Sequence, residues 1–159
     1  LFLPQKPYMP LGDLRMQLLY PNLLAHHRDD ELLAVLGKLG LGDLPGRFPH
    51  GFDEVQDWGR VLSGGEQQRL AAARCLAASP PPALIVLDEA TSALPVADEA
   101  SLYQLLRQRG LGYISVGHRE SLLEYHDLVL EICGDCSWRL MQPQEYRCGV
   151  SRIAASTST

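Results

Sequence analysis

Residues 62–69, Leu-Ser-Gly-Gly-Glu-Gln-Gln-Arg, could bind a phosphate group through the backbone at a helix start. Ser63 and Glu66 have the spacing of a capping box, in which each side chain satisfies a free backbone N–H group. Gly64 and Gly65 leave the backbone bare, and a helix N-terminus attracts anions through its unpaired N–H donors and partial positive charge. An ordinary capped helix without a ligand is the alternative, and this stretch alone does not separate the two.

A second chemically capable stretch is the apolar run Ala83–Leu87, which is followed by Asp88 and Glu89. A short unbroken apolar run predicts a parallel strand that is buried on both faces. Open α/β sheets bind ligands at the carboxyl ends of their strands, which is where the two carboxylates would lie. Because buried carboxylates without partners are costly, metal binding or proton transfer is favoured over a packing role.

In this order and at this close spacing, the two stretches resemble the nucleotide-binding domain of ATP-binding cassette (ABC) ATPases. Residues 62–67 look like the signature motif of that family, residues 83–88 like its Walker B motif, and Glu89 like its catalytic glutamate. The resemblance implies an α/β fold of the P-loop NTPase type, with a mainly parallel sheet and a helical subdomain. It covers residues 1–141, and residues 142–159, which lose periodicity, are predicted to form a disordered tail.

The resemblance also implies ATP and Mg²⁺ as cofactors and assigns catalytic roles. Asp88 would hold Mg²⁺ through its water shell, and Glu89 would act as general base or polarise the attacking water. His118, after the predicted strand 112–116, would orient that water and contact the γ-phosphate, although a lone histidine is usually structural. Gln5, after the apolar run Leu1–Leu3, would contact both Mg²⁺ and the water, although a loop glutamine is more often simply solvated.

The signature stretch supplies the residues that are expected to bind nucleotide: Ser63, Gly64, Gly65, Glu66 and Gln67. By resemblance, Ser63, Gly64 and Gly65 would clamp the γ-phosphate held by a second nucleotide-binding domain, in a homo- or heterodimer. The following loop, residues 90–94, resembles the D-loop, and Pro95 stands where most cassettes carry Asp.

The region around residues 5–21 narrows the resemblance to the peroxisomal and lysosomal half-transporters of subfamily D and their bacterial relatives. Its markers are Lys6-Pro7-Tyr8, Gly12-Asp13-Leu14-Arg15 and Tyr20-Pro21, and residues 115–141 most resemble the cobalamin-type branch. This implies a fatty acyl-CoA- or cobalamin-type substrate and a transmembrane domain in the same polypeptide. It also implies the cytosolic face of a peroxisomal, lysosomal or bacterial plasma membrane.

No G-x-x-x-x-G-K-[ST] motif occurs in the 159 residues. In the family this P-loop precedes the glutamine loop, so we expect the chain to be a C-terminal part of a longer protein. Because the P-loop cradles the β- and γ-phosphates, the chain alone is expected to bind ATP poorly and to hydrolyse none.

Two other function classes stay open. One is a soluble ABC ATPase that acts on nucleic acid or ribosomes, but the formal charge of −5 argues against a nucleic-acid partner. The other is a degenerate, non-catalytic cassette, which the missing P-loop favours and the presence of Glu89 and His118 disfavours. Cys133-Gly134-Asp135-Cys136 is a CxxC motif without a second pair. We interpret it as a hairpin turn between strands 128–133 and 137–141 rather than as a zinc or redox site.

Overall fold

The computed structural model describes residues 1–23, 26–134 and 136–148, which divide into two units, Leu1–Gly117 and His118–Thr159. In chain order, the strands and α-helices of the first unit are β1 (Phe2–Leu3), β2 (Gly12–Asp13), α1 (Leu14–Leu19), α2 (Asp29–Lys38), β3 (Val55–Gln56), α3 (Trp58–Val61), α4 (Gly64–Ala77), β4 (Ile85–Asp88), α5 (Val96–Gln108) and β5 (Tyr113–Val116).

A three-stranded parallel sheet with the order β1-β4-β5 forms the centre of the first unit. This confirms the predicted α/β class with a parallel sheet. Strand β4 begins at Ile85, two residues later than predicted, and includes Asp88. The prediction that this strand is buried on both faces was wrong. Ile85 and Leu87 are fully buried on one face, whereas Val86 is half-exposed on the other, because the described elements of this unit cover only one face.

The second face of this sheet is apolar and open. Residues that pair across parallel strands point to the same side, so Phe2, Val86 and Ile114 form one row there. Val116, which pairs with Asp88, lies on the same face. Phe2 is 57% exposed, Ile114 55% and Val116 54%.

Helix α4 carries the signature stretch at its start and is packed along most of its length. Its alanines are small enough to allow close approach, and residues 70–77 are all buried. Arg74 is buried among them, where its Nε donates to the carbonyl oxygen of Gln17 at 2.7 Å. Burial lowers the pKa of this guanidinium to about 10. The neighbouring helix α1 begins after the cap Asp13, whose Oδ1 accepts the backbone N–H of Met16 at 2.7 Å.

Residues 43–57 contain two 3-10 turns (Pro45–Arg47 and Gly51–Asp53) before strand β3. Strand β3 pairs antiparallel with β2. Trp58, which follows, is 1% exposed and donates from its indole Nε1 to the carbonyl oxygen of Gly12 at 2.9 Å. Trp58 is therefore a core residue of the first unit.

The second unit contains a 3-10 segment (Glu120–Tyr125) and the antiparallel strands β6 (Val129–Ile132) and β7 (Trp138–Met141). The predicted hairpin is thus present, with strands slightly shorter than expected. Gly134 lies in its turn, and Asp135 falls outside the described residues. Of the predicted tail, residues 143–148 are helical, and residues 149–159 also fall outside the described part. In the described ranges, no helix is long and apolar enough to cross a bilayer.

Candidate functional site

Gln5 and Glu89 meet at one edge of the parallel sheet. Gln5 follows β1 by two residues, and Glu89 directly follows β4. Because these strands are parallel neighbours, their carboxyl ends lie side by side, and the two side chains come within reach. The Nε2 of Gln5 donates to the Oε2 of Glu89 at 2.6 Å. The structure therefore brings together two residues that the sequence assigned to the chemistry of one water molecule.

The backbone of Glu89 is in the left-handed region, with φ at 47°. Its N–H donates to the carbonyl oxygen of Val116 at 2.9 Å, and its own carbonyl accepts the N–H of Ser92 at 3.0 Å. For a residue with a side chain, this conformation costs on the order of 1–3 kcal/mol and persists only where the surroundings fix it. The two backbone hydrogen bonds provide that constraint, so the strained turn holds the carboxylate at the sheet edge.

Gln68, on α4, joins this edge to the loop that follows Glu89. Its Nε2 donates to the carbonyl oxygen of Gln5 at 3.0 Å and to the Oγ of Ser92 at 3.3 Å, and its Oε1 accepts the N–H of Ala93 at 2.9 Å. No role was predicted for Gln68 from the sequence, since its burial is visible only in the structure. Its side chain is 4% exposed there, and a buried amide needs hydrogen-bond partners.

Asp88, the last residue of β4, is suited to a hard cation. Its carboxylate is half-buried and makes no hydrogen bond or ion pair with the residues that the structure describes. The amide oxygen of Gln5, at the same edge, would be a second oxygen ligand for such a cation, since the nitrogen of that amide is directed to Glu89. Mg²⁺ prefers oxygen ligands and usually takes only one or two carboxylates, with waters and substrate phosphates completing its shell. These residues therefore fit Mg²⁺. Among the described residues, no group of three or more His, Cys, Asp or Glu side chains is placed to hold a metal ion.

The start of α4 is a complete capping box, as predicted. The Oγ of Ser63 accepts the N–H of Glu66 at 3.3 Å, and the Oε2 of Glu66 accepts the N–H of Ser63 at 2.9 Å. Arg47, from the preceding 3-10 turn, donates to the Oε1 of Glu66 at 2.6 Å. This guanidinium is the largest cause that lowers the pKa of Glu66 to about 2, with hydrogen bonds from Ser63 adding to it. The carboxylate is thus ionised and its charge is partly balanced.

The predicted nucleotide-binding residues of this stretch differ in their environments. Ser63 and Gly64 are exposed, and Gly65 is packed against the next loop, where an added Cβ would lie 3.3 Å from the carbonyl oxygen of Ala93. The side chain of Gln67 is engaged within the chain, since its Nε2 donates to the carbonyl oxygens of Leu62 and Gly59 at 2.8 and 3.0 Å. The exposed face of this helix start therefore consists of Ser63 and Gly64.

His118 is the first residue of the second unit and follows the end of β5 by two positions. Its side chain is exposed.

No protein-family model matches the chain. An uncharacterized ABC transporter ATP-binding protein of Synechocystis is 49% identical over 140 residues, which are 88% of this chain and 21% of that protein. The human lysosomal cobalamin transporter ABCD4 is 46% identical over an alignment of 149 positions, and the match covers 89% of this chain and 24% of that protein. The chain thus spans less than a quarter of the length of these curated relatives.

Among solved structures, a bacterial Atm1-family ABC exporter with ATP bound is similar, with a TM-score of 0.67 and 30% sequence identity. The similarity covers 81% of this chain and 22% of the exporter chain.

Proposed function

This chain is homologous over most of its length to ABC transporters of subfamily D and to bacterial ABC ATP-binding proteins, and from that premise we propose that it forms the water-activating and signature parts of an ATP-hydrolysing transporter domain. Its fold is that of an ABC ATPase domain.

The observation that supports hydrolysis best is the hydrogen bond between Gln5 and Glu89. A carboxylate at the end of a central strand can polarise a water or take its proton, provided that it is held in one orientation. The amide of Gln5 and the strained backbone turn both restrict the carboxylate. In our proposal Glu89 is therefore the group that acts on the attacking water, and Gln5 positions it.

Asp88 and the amide oxygen of Gln5 are proposed to hold Mg²⁺, which when bound neutralises charge on the phosphates of ATP. The support is chemical, because an unpaired half-buried carboxylate and an amide oxygen are the ligand types that this ion takes.

The start of α4 is proposed to contact the γ-phosphate of ATP that is held by a second nucleotide-binding domain. Ser63 and Gly64 are exposed at a helix N-terminus, where free N–H groups favour an anion. The nearby carboxylate of Glu66 would repel a phosphate, but its ion pair with Arg47 offsets that charge. The second domain is either a copy of this one or a different chain, which gives a homodimer or a heterodimer.

The transmembrane domain that this ATPase would power is proposed to lie in the same polypeptide, with the ATPase on the cytosolic face of an organelle or bacterial membrane. One relative is named a lysosomal cobalamin transporter, so a cobalamin-type compound is the first substrate to test, and a fatty acyl-CoA is the second. A complete protein, reconstituted in vesicles, would show transport of labelled cobalamin that depends on ATP. Equal uptake without ATP would contradict the proposal.

The central test is Glu89→Gln in the complete protein. We expect hydrolysis to fall by at least about a hundredfold, since loss of a general base removes 10²–10⁴ in rate. Binding of a fluorescent ATP analogue should stay within about twofold, because phosphate affinity comes from helix N-termini and the metal. Glu124→Gln, at a carboxylate that is 63% exposed, is the matched control and should leave both values unchanged. Wild-type hydrolysis in Glu89→Gln would refute the assignment.

A further inference from the structure

The tip of the β6–β7 hairpin carries two cysteines. Strand β6 ends at Ile132, β7 begins at Trp138, and the N–H of Cys133 donates to the carbonyl oxygen of Ser137 at 2.9 Å. Cys133 is thus the partner of Ser137 across the hairpin, where hydrogen-bonded pairs have α-carbons about 5.5 Å apart, and Cys136 directly precedes Ser137 in the chain. Adjacent α-carbons are about 3.8 Å apart, so Cys133 and Cys136 are diagonal neighbours near the range of about 4.4–6.8 Å that disulfides bridge.

Cys136 has an unfavourable backbone conformation, with φ at 63°. In short hairpin loops this left-handed position is usually glycine, because a Cβ is sterically disfavoured there. The side chain of Cys136 is exposed, so burial does not offset that cost. Packing and backbone preference therefore give no reason for a cysteine at this position.

Cys133 lies beside a guanidinium. On the pleated hairpin Glu131 pairs directly with Arg139, and Cys133, which follows the end of β6, shares their face. Arg139 forms an ion pair with Glu131 at 2.7 Å, on the face that carries the sulfur of Cys133. The carboxylate of Glu131, followed by that sulfur, raises the pKa of Arg139. The half-buried thiol thus faces one cation and one anion that neutralise each other in part.

The sequence alone favours a hairpin turn over a redox site here; from the hairpin geometry we propose instead that Cys133 and Cys136 form a reversible dithiol–disulfide pair at this tip, which a peroxide oxidises and a small thiol reduces. The Cys133 sulfur attacks one peroxide oxygen, the O–O bond breaks, and a sulfenic acid and water form. The Cys136 sulfur then attacks the sulfenyl sulfur, the S–S bond forms, and the S–O bond breaks as a second water leaves. Two electrons pass from the sulfurs to the peroxide, and two molecules of thiol return them on reduction.

The other two cysteines serve as internal references. Cys75 is 2% exposed, and burial raises its pKa to about 12, so it should not react. Cys148 is exposed and could compete for oxidation, so the test uses a Cys148→Ser background.

The test is oxidation of Cys148→Ser with equimolar hydrogen peroxide, then alkylation and digestion with trypsin. Cys133 and Cys136 fall on one tryptic peptide, Glu120–Arg139, because no Lys or Arg lies between these ends. We expect this peptide to lose two hydrogens and to carry no alkyl group, and to recover both labels after treatment with glutathione. In Cys133→Ser and in Cys136→Ser, the remaining cysteine should be alkylated or joined to glutathione.

A titration with glutathione tests whether the folded hairpin, and not only the CxxC spacing, favours the disulfide. We expect the equilibrium constant for disulfide formation to be at least about tenfold larger in the native chain than in urea. The reason is that the folded hairpin already holds the two cysteines close together. Equal equilibrium constants in the native chain and in urea would overturn the proposal. A native product that carries glutathione on one cysteine and has no internal disulfide would also overturn it. Circular dichroism before and after oxidation verifies that the chain stays folded.

Discussion

The ion pair between Arg47 and Glu66 should stabilise the start of the signature helix, and Arg47→Gln tests this. The pKa of Glu66 falls from 4.5 to about 2, a net effect of Arg47 and Ser63 against desolvation that corresponds to about 3 kcal/mol at 1.36 kcal/mol per unit. Arg47 is 41% exposed and also binds Asp43, so screening by solvent reduces the expected loss at pH 7 to about 1–2 kcal/mol.

The sign of the pH dependence follows from the lowered pKa. The stabilising contribution of Glu66 is fully present above its unfolded value of 4.5 and is lost as the pH falls through about 2. Urea unfolding of the wild type and of Arg47→Gln should therefore differ most above pH 5, and their free energies of unfolding should converge towards pH 2.

The control for this prediction is Arg60→Gln. Arg60 forms a comparable ion pair with Asp57, but it is 88% exposed, and surface pairs of this kind contribute about 0–1 kcal/mol. A double-mutant cycle of Arg47→Gln with Glu66→Gln should give a coupling energy of about 1 kcal/mol or more. A coupling below about 0.3 kcal/mol, or a difference that does not change with pH, would refute the reasoning.

Three further predictions concern the site. Gln68→Leu should lower the free energy of unfolding by about 2 kcal/mol in urea, because the Ala93 N–H loses its partner; a change below about 0.5 kcal/mol would contradict this. In the complete protein, Ser63→Arg should block ATP-driven dimerisation, seen by light scattering, yet leave ATP binding to each separate subunit intact. If the separate Ser63→Arg subunit no longer bound ATP, the signature stretch would be a structural helix cap only. The chain alone, given Mg-ATP, should release no phosphate above background, and turnover that vanishes with Glu89→Gln would prove this expectation wrong.

Local patterns were predictable from the sequence because the residues that satisfy them are close in the chain. The Ser63–Glu66 capping box needs only a spacing of three residues, and the short apolar runs sufficed to predict the strands of the parallel sheet. The left-handed backbone of Glu89 has no such signature, since it depends on a hydrogen bond to Val116 on another strand.

Long-range contacts were not predictable in the same way. The pair Arg47–Glu66 spans 19 positions, and the bond from Gln68 to Gln5 spans 63. Many polar residues in each segment could have made these bonds, and only the packing of α4 against its neighbours selects among them. The two 3-10 turns in residues 43–57 likewise lack periodicity, so their order depends on contacts elsewhere.

The open apolar face of the parallel sheet has a practical consequence for work with this chain in isolation. That face exposes the apolar side chains of Phe2, Ile114 and Val116 to water. In the described part of the sheet, β1 and β5 are edge strands, which have backbone groups available for pairing. Two copies of the chain can therefore associate through their apolar sheet faces and also through their edge strands. Expression of the chain alone should yield concentration-dependent precipitates, and a lysine in place of Val116 should raise the concentration at which the sample turns cloudy.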